Sequence, residues 1–454
     1  MRIHRTRPRQ PEGASRTKSL IFRIACLSIS TAAAVACAAS GNDDATSPDS
    51  PPPNVYEGGV ETTDGGSVRE AAPDDATASA TCSAAGWCLT ALPSYPDELR
   101  LNDIWPLADR AFAIAGTQSG SVRFLEWSDA SDRWSVIDDD SQHYTSALAG
   151  GVWAPNADEV YFSLSHSNAP GGEIYYGRRP VPPATDWSWR RFPFECSVPE
   201  RPWVWGTSAG DVFVMSCGTI HRLNGPRDGG TGDESSWGAE YVDDNPMAQL
   251  TFHGATGTSP NDAWFVGSRR ESLWGPSCAV VVRKTAAGYE PIVDGTPIDD
   301  GCAQKPDSVS IPIAGAFGRE EGDAIHAPAK DRFVAVSFGT EANNAVVRIG
   351  PNGTGGYAVS VSSAAPALGV GLRSVWGTSE DDLWFLGAPP LTTLNDNASI
   401  IRGTNIWGDG GVFQYSTLVL DGVPNIKALQ RIRGTSNTNL WAVGANRAFH
   451  KTTP

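Results

Sequence analysis

Four stretches of this sequence align without a gap: VWGTSAGDVFVMS (204–216), ATGTSPNDAWFVG (255–267), VWGTSEDDLWFLG (375–387) and IRGTSNTNLWAVG (432–444). An internal repeat constrains the fold more tightly than composition does. Each copy must form the same small unit, and no copy can bury its apolar faces without a neighbour. A fifth copy, AFGREEGDAIHAP (316–328), keeps the Gly and the Asp, while IWPLADRAFAIAG (104–116) and VWAPNADEVYFSL (152–164) are weaker. Successive starts are separated by 48 to 61 residues.

Each copy reads as a β-hairpin. A short apolar strand ends at the motif Gly, a Thr-Ser turn closes on Asp211, Asp262, Asp382 or Asn439, and a second apolar strand follows. Gly tolerates positive φ, and Ser, Asp and Asn side chains bond nearby backbone, so the turn has the residues a turn needs. A third strand carries a basic residue near its outer end, as in GTIHRL (218–223), AVVVRK (279–284), AVVRIG (345–350) and SIIRGT (399–404). A fourth opens with an aromatic: Trp134, Trp189, Trp237, Tyr289, Tyr357 or Phe413. Each unit is therefore expected to be a four-stranded antiparallel sheet. The last unit stops after three strands, and an orphan aromatic-led strand, WCLTALPS (87–94), precedes the first. If that strand completes the last unit, seven sheets close into a ring. The expected fold is all-β: a seven-bladed β-propeller of four-stranded antiparallel blades over residues 82–454, preceded by a disordered N-terminal segment. A linear stack of sheets is the alternative.

The repeat GTSxxD-hydrophobic-Trp resembles the propeller-type repeats of secreted bacterial lipoproteins. The N-terminus fits that resemblance. Residues 1–36 join a basic stretch to a short apolar run, IACLSISTAAAVA (24–36), too short to span a bilayer. AVAC, ending at Cys37, resembles a lipobox, which implies cleavage before Cys37 and its lipidation. Residues 37–81 are rich in Asp, Ser, Thr, Pro and Gly with few large apolar groups, the composition of an extended, disordered tether. The expectation is an exported, membrane-anchored lipoprotein, periplasmic or at the cell surface.

The chain carries a formal charge of −16. Its first 36 residues hold seven basic groups and one acid, so the remainder is near −22. A body this acidic repels phosphates, which excludes nucleic acid as a partner. Of eight Cys, Cys26 leaves with the signal and Cys37 takes lipid. The remaining six, an even number in an exported chain, read as disulfides. Strand order suggests Cys278–Cys302, Cys82–Cys88 and Cys196–Cys217.

No catalytic constellation stands out. GTSAG (206–210) has the G-x-S-x-G spacing of a nucleophile elbow. Yet Ser208 aligns with Ser259, Ser379 and Ser436, and one active site needs only one Ser. The seven His show no metal-binding spacing, and the acidic runs at 138–140, 243–244 and 299–300 lack the calcium-loop pattern. No metal or other cofactor is expected. Most of the 16 Trp occupy repeat positions and read as packing between blades. Trp274 falls outside the register, in a second-to-third-strand connection with Arg269 and Arg270. Such connections gather on one face of a propeller, so these three residues mark the expected ligand face. The expected function is that of a monomeric binding or scaffold module for protein or polysaccharide. A lectin-like sugar binder or a carbohydrate-active enzyme with carboxylates from several blades is the alternative.

Overall fold

The computed structural model describes residues 82–453 except 143–145, 168–169, 197–199, 225–236, 246–247, 273–276, 300, 312–324, 338–344, 364–370, 389–398, 409–410, 417, 421–422 and 426. The signal segment, Cys37 and the tether to residue 81 lie outside the described residues.

Seven antiparallel sheets follow one another along the chain. Blade 1 comprises Leu99–Pro106, Arg110–Thr117, Val122–Ser128 and Arg133–Val136. Blade 2 comprises Ala147–Asn156, Glu159–His166, Gly172–Arg178 and Ser188–Phe194. Blade 3 comprises Trp203–Ser208, Asp211–Ser216, Thr219–Leu223 and Trp237–Val242. Blade 4 has Gln249–Ser259, Asp262–Arg270, Cys278–Thr285 and Gly288–Ile298, plus a short fifth strand, Gly301–Gln304. Blade 5 comprises Ile325–Ala329, Arg332–Ser337, Ala345–Pro351 and Tyr357–Ser363. Blade 6 comprises Gly371–Ser379, Asp382–Ala388, Ser399–Thr404 and Val412–Ser416. Blade 7 takes Leu429–Ser436, Asn439–Gly444 and Arg447–Lys451 from the C-terminal side. Its fourth strand is Trp87–Leu89, paired with Arg447–Lys451 through Trp87 opposite Lys451 and Leu89 opposite Phe449.

The first strand of each blade touches the first strands of both neighbours, and the first strand of blade 1 touches that of blade 7. The ring is closed. Its cores lie between the sheets: Phe213 and Val280 share one apolar cluster across blades 3 and 4, and Trp127, Trp134 and Trp441 share another across blades 1 and 7.

The motif Gly has a different purpose from the one its turn position suggests. Gly206, Gly257, Gly377 and Gly434 are absent from the residues with positive φ. They are needed for close approach instead. A Cβ on Gly206 would sit 2.8 Å from the Trp153 ring, one on Gly257 2.9 Å from the Trp205 ring, and one on Gly434 3.0 Å from the Trp376 ring. The Trp of one blade thus lies across the Gly of the next, and any side chain there would push the two sheets apart.

The rest of the motif builds a polar clasp. Thr207 donates to Asp211 at 2.6 Å and Thr258 to Asp262 at 2.6 Å. Each Asp also pairs with the third-strand Arg: Arg222 with Asp211 at 2.8 Å, Arg283 with Asp262 at 2.8 Å, and Arg402 with Asp382 at 2.7 Å. The Arg in turn covers a second-strand aromatic, Phe213, Trp264 or Trp384. The recurring basic residue of the sequence is therefore the counter-ion of the recurring Asp. The clasp also reaches the next blade, where Asn437 donates to Asp382 at 2.6 Å and Arg283 meets Asp331 and Tyr357.

Blade 5 departs from the expected register. Ile325–Ala329, expected within the second strand, is the first, and Arg332–Ser337 is the second, joined by a turn at Asp331 with φ of 60°. The fully buried run Phe333, Val334, Ala335 takes the core position. A shift of nine residues was available because GREEGD resembles the motif turn, while HAPAKD has neither the Gly nor the Thr-Ser pair. Residues 316–324 lie outside the described residues.

Candidate functional site

In a ring of this topology, second-to-third-strand turns and blade-to-blade connections share one face. Four groups of side chains on that face merit separate description.

The first surrounds a cavity of about 410 Å³ at the seam between blades 7 and 1. Its walls are the connection from Leu89 to Leu99 and the Asn446–Arg447 turn. These walls are tied down. Thr90 bonds the Ala448 carbonyl through both its amide and its hydroxyl, at 2.9 Å each, and Asn446 N–H donates to Leu99 O at 2.6 Å. Trp134 Nε1 donates to Thr90 Oγ1 at 2.9 Å, and Lys427 pairs with Glu98 at 3.1 Å. Tyr95, Asp97, Glu98 and Arg447 supply polar chemistry, and Leu89 and Leu92 apolar lining. The Arg123 guanidinium lies over the Tyr95 ring at 4.6 Å and fixes its plane. A volume of this order suits a small ligand or a short stretch of a longer one.

The second group contains Arg269, expected on an exposed ligand surface. The structure buries it completely. Its guanidinium contacts Asp243 at 2.7 and 3.1 Å, the Gly295 carbonyl at 2.8 Å, and Asp294. Two carboxylates and a carbonyl use every edge of the fork, and they hold its charged form against the cost of burial. Arg269 therefore ties the blade 3–4 connection to the blade 4 sheet and presents nothing to a ligand. Asp243, from an acidic run read as solvated, is one of its anchors. Lys305 adds a pair with Asp294 at 3.1 Å. Arg270 is half-buried and helps keep the neighbouring His253 neutral, pushed down to about 4 chiefly by burial. Trp274 lies outside the described residues.

The third group is the blade 2–3 connection against the second-to-third-strand turn of blade 3. Cys196 and Cys217 form a disulfide there, and Cys82–Cys88 and Cys278–Cys302 are the other two. Cys217 (φ 56°) and Gly218 (φ 70°) make the left-handed two-residue turn that matches the twist of the flanking strands. Glu200 is buried beneath this bond, with Oε2 accepting from Cys217 N–H at 2.9 Å. Burial pushes its carboxyl up to about 7. The two Sγ atoms and a Glu200 oxygen lie within 4.8 Å of one another, the arrangement of three metal ligands. With both sulfurs in a disulfide, however, neither is a thiolate available to a metal. Nothing in the sequence around Glu200 marks it; only the fold brings it beneath the crosslink.

The fourth group is the acidic run at 138–140. Asp138 pairs with Arg123 at 2.7 Å and accepts from Phe124 N–H at 3.0 Å, so it closes the blade 1 connection rather than facing solvent. On the opposite face Ser208 is an exposed turn residue beside the Thr207–Asp211 bond, with no base positioned to activate it among the described residues.

No family model and no curated protein matches the chain. Solved structures do match over most of it. A prolyl endopeptidase is 13% identical with a TM-score of 0.45, covering 76% of this chain and 46% of its own. Oligopeptidase B from Leishmania major is 12% identical with a TM-score of 0.40, covering 79% of this chain and 49% of its own. The GH93 α-L-arabinofuranosidase of Fusarium graminearum is 10% identical with a TM-score of 0.37, covering 69% of this chain and 96% of its own. The chain thus spans about half the length of the two peptidases.

Proposed function

We propose that the ring is a rigid binding module of the cell envelope, holding protein or polysaccharide at the seam cavity between blades 7 and 1. The observation that carries this reading is the cavity itself. It lies on the loop face, has ligand-sized volume, and is walled by a connection pinned at Thr90, Glu98 and Asn446. A preformed, immobilised wall spends little ordering entropy on binding. Elsewhere on this face Asp138, Asp243, Asp294 and Arg269 are engaged in fixing connections. Three disulfides are compatible with export. We further propose that Cys37 is lipidated and holds the module at the membrane.

The test is capture from envelope fractions, in parallel with a glycan array, using the ring and its Tyr95→Ala and Arg447→Ala variants. The reading expects a protein or glycan retained by the parent and lost by at least tenfold with either variant. Equal retention by all three, or no retention, removes the cavity from consideration. Retention of free sugars alone favours the lectin-like form of the proposal. For the anchor, Cys37→Ala is expected to abolish fatty-acid labelling.

A further inference from the structure

Of the three disulfides, one is placed for chemistry. Cys278–Cys302 ties the third strand of blade 4 to its fifth, and Cys82–Cys88 braces the closing strand. The Cys278 and Cys302 sulfurs meet the backbone carbonyls of Gly301 and Ser277. Cys196–Cys217 instead lies against a buried acid. Glu200 Oε2 lies 3.9 Å from Cys196 Sγ, and the buried Ser216 hydroxyl lies 3.3 Å from Cys196 Sγ and 3.4 Å from Cys217 Sγ. Among the described residues Glu200 Oε1 has no hydrogen-bond partner, although it is fully enclosed. A purely structural crosslink has no use for an enclosed carboxyl, because burying it without full satisfaction weakens the fold.

We propose that Cys196–Cys217 is a thiol–disulfide exchange centre for a dithiol partner, with Glu200 as its proton donor and acceptor and Ser216 as hydrogen-bond donor to the departing sulfur. Cys217 Sγ lies on the outer side of the pair, near the exposed Glu195 carbonyl, and Cys196 Sγ faces the acid. A thiolate of the dithiol attacks Cys217 Sγ. The new S–S bond forms as Cys196–Cys217 breaks, the electron pair goes to Cys196 Sγ, and that sulfur takes the Glu200 proton. The second thiol of the partner gives its proton to the Glu200 carboxylate and attacks its own sulfur in the mixed disulfide. Cys217 leaves as a thiolate and is protonated from water. The partner ends as a disulfide, oxidised by two electrons, and the cysteine pair ends reduced by two. Run in reverse, the centre accepts a disulfide and returns a dithiol.

The surroundings leave Glu200 free to do this. The described elements against it are residues 195–196 and 200–202 of the blade 2–3 connection, the Ser216–Gly218 turn, the Gly172 end of blade 2's third strand and, against that turn, Asp243 of the blade 3–4 connection. Their charged side chains are Glu195, Arg201, Glu173 and Asp243. Glu173 is tied to Arg191 and His166, and Asp243 to Arg269. None of them shifts Glu200, whose carboxyl is raised by burial and opposed only by the Cys217 amide.

The test follows reduction of all three disulfides in the native, full-length protein by dithiothreitol, with timed alkylation and peptide mapping. Attack requires a thiolate, whose fraction rises with pH up to about 8.5, and the acid form of Glu200, which is lost above about 7. The logarithm of the Cys196–Cys217 rate is therefore expected to climb with unit slope below pH 7 and to flatten from 7 to 8.5. Glu200→Gln is expected to slow this bond about tenfold or more at pH 6.5, restore unit slope throughout, and leave the other two bonds unchanged. Ser216→Ala is expected to slow the same bond without removing the break at pH 7. A carboxyl raised by burial weakens the fold as pH rises from 4.5 through 7, so Glu200→Gln should unfold no earlier than the parent at pH 8. Loss of folding in that variant would contradict the assigned environment of Glu200. A rate unaffected by Glu200→Gln, or one altered equally at all three bonds, overturns the proposal.

Discussion

Blade 4 is one continuous run of chain, whereas blade 7 joins the first strand of the ring to its last three, and the two solve the same packing problem with different chemistry. In blade 4 the clasp is charged. Asp262 and Arg283 pair at 2.8 Å, and a second cluster places Arg269 between Asp243 and Asp294. In blade 7 the same repeat positions hold Asn439 and His450, and the clasp is neutral. Asn439 Oδ1 accepts from Trp441 Nε1 at 3.1 Å and contacts His450 Nε2 at 3.0 Å, while its amide donates to the Leu107 carbonyl of blade 1 at 2.7 Å. An Asp could accept the first two but could not donate the third. The amide is thus the form of this side chain that can both serve its own blade and hold the next across the seam. A neutral acceptor suits a neutral third-strand partner, and burial keeps His450 uncharged, pushed down to about 4, with its ring stacked 4.0 Å from Trp441.

This contrast predicts how each blade fails. The largest effect is expected from removing residues 82–92, which uncovers the edge of blade 7 and loses fully buried Trp87 with its edge-on contact to Trp384. Truncating a buried Trp alone costs about 3–5 kcal/mol. The deletion is expected to exceed that in urea unfolding, and a midpoint equal to the parent's would show that the ring does not need its seal. Next comes Arg269→Ala, which strands two carboxylates in the blade 4 connection, at about 3–5 kcal/mol. A loss below about 1 kcal/mol would mean that this cluster is solvated.

Acid acts on blade 7 through its third-strand His. His450 holds its proton less tightly folded than unfolded, so its contribution is complete above pH 6.5 and declines as pH falls toward 4. Between pH 7 and 5 it is expected to account for on the order of 2 kcal/mol of lost stability, and His450→Gln should remove that portion of the pH dependence. Finally, Asn439→Asp is expected to cost about 1–2 kcal/mol through the unpaired Leu107 carbonyl. No change, with a retained bond to blade 1, would undo the account of why this copy of the motif has Asn.

These particulars also show what a sequence can disclose. The period, the aromatic-led outer strands and the role of the Trp87 strand were legible because β-sheet side chains repeat with the sheet and because buried sheets need apolar residues on both faces. The third-strand Arg was visible as a recurrence, but its partner was not, since the pairing runs across the sheet. Blade 5 was misplaced because its turn has none of the motif's Thr-Ser chemistry. Arg269 looked exposed because two adjacent arginines in a long connection normally are. Its burial depends on Asp243 and Asp294, each about 25 residues away, and no local signal links them. Glu200 is the extreme case, one unremarkable Glu whose meaning arises only when blade 3 folds over it.

The closing strand has a mechanical corollary. Cys82 is bonded to Cys88, so tension arriving through residue 81 bypasses the Ser83–Trp87 turn and reaches the middle of the three-residue ladder. Load therefore enters the ladder at Cys88, opposite His450, rather than at its first pair, Trp87 with Lys451.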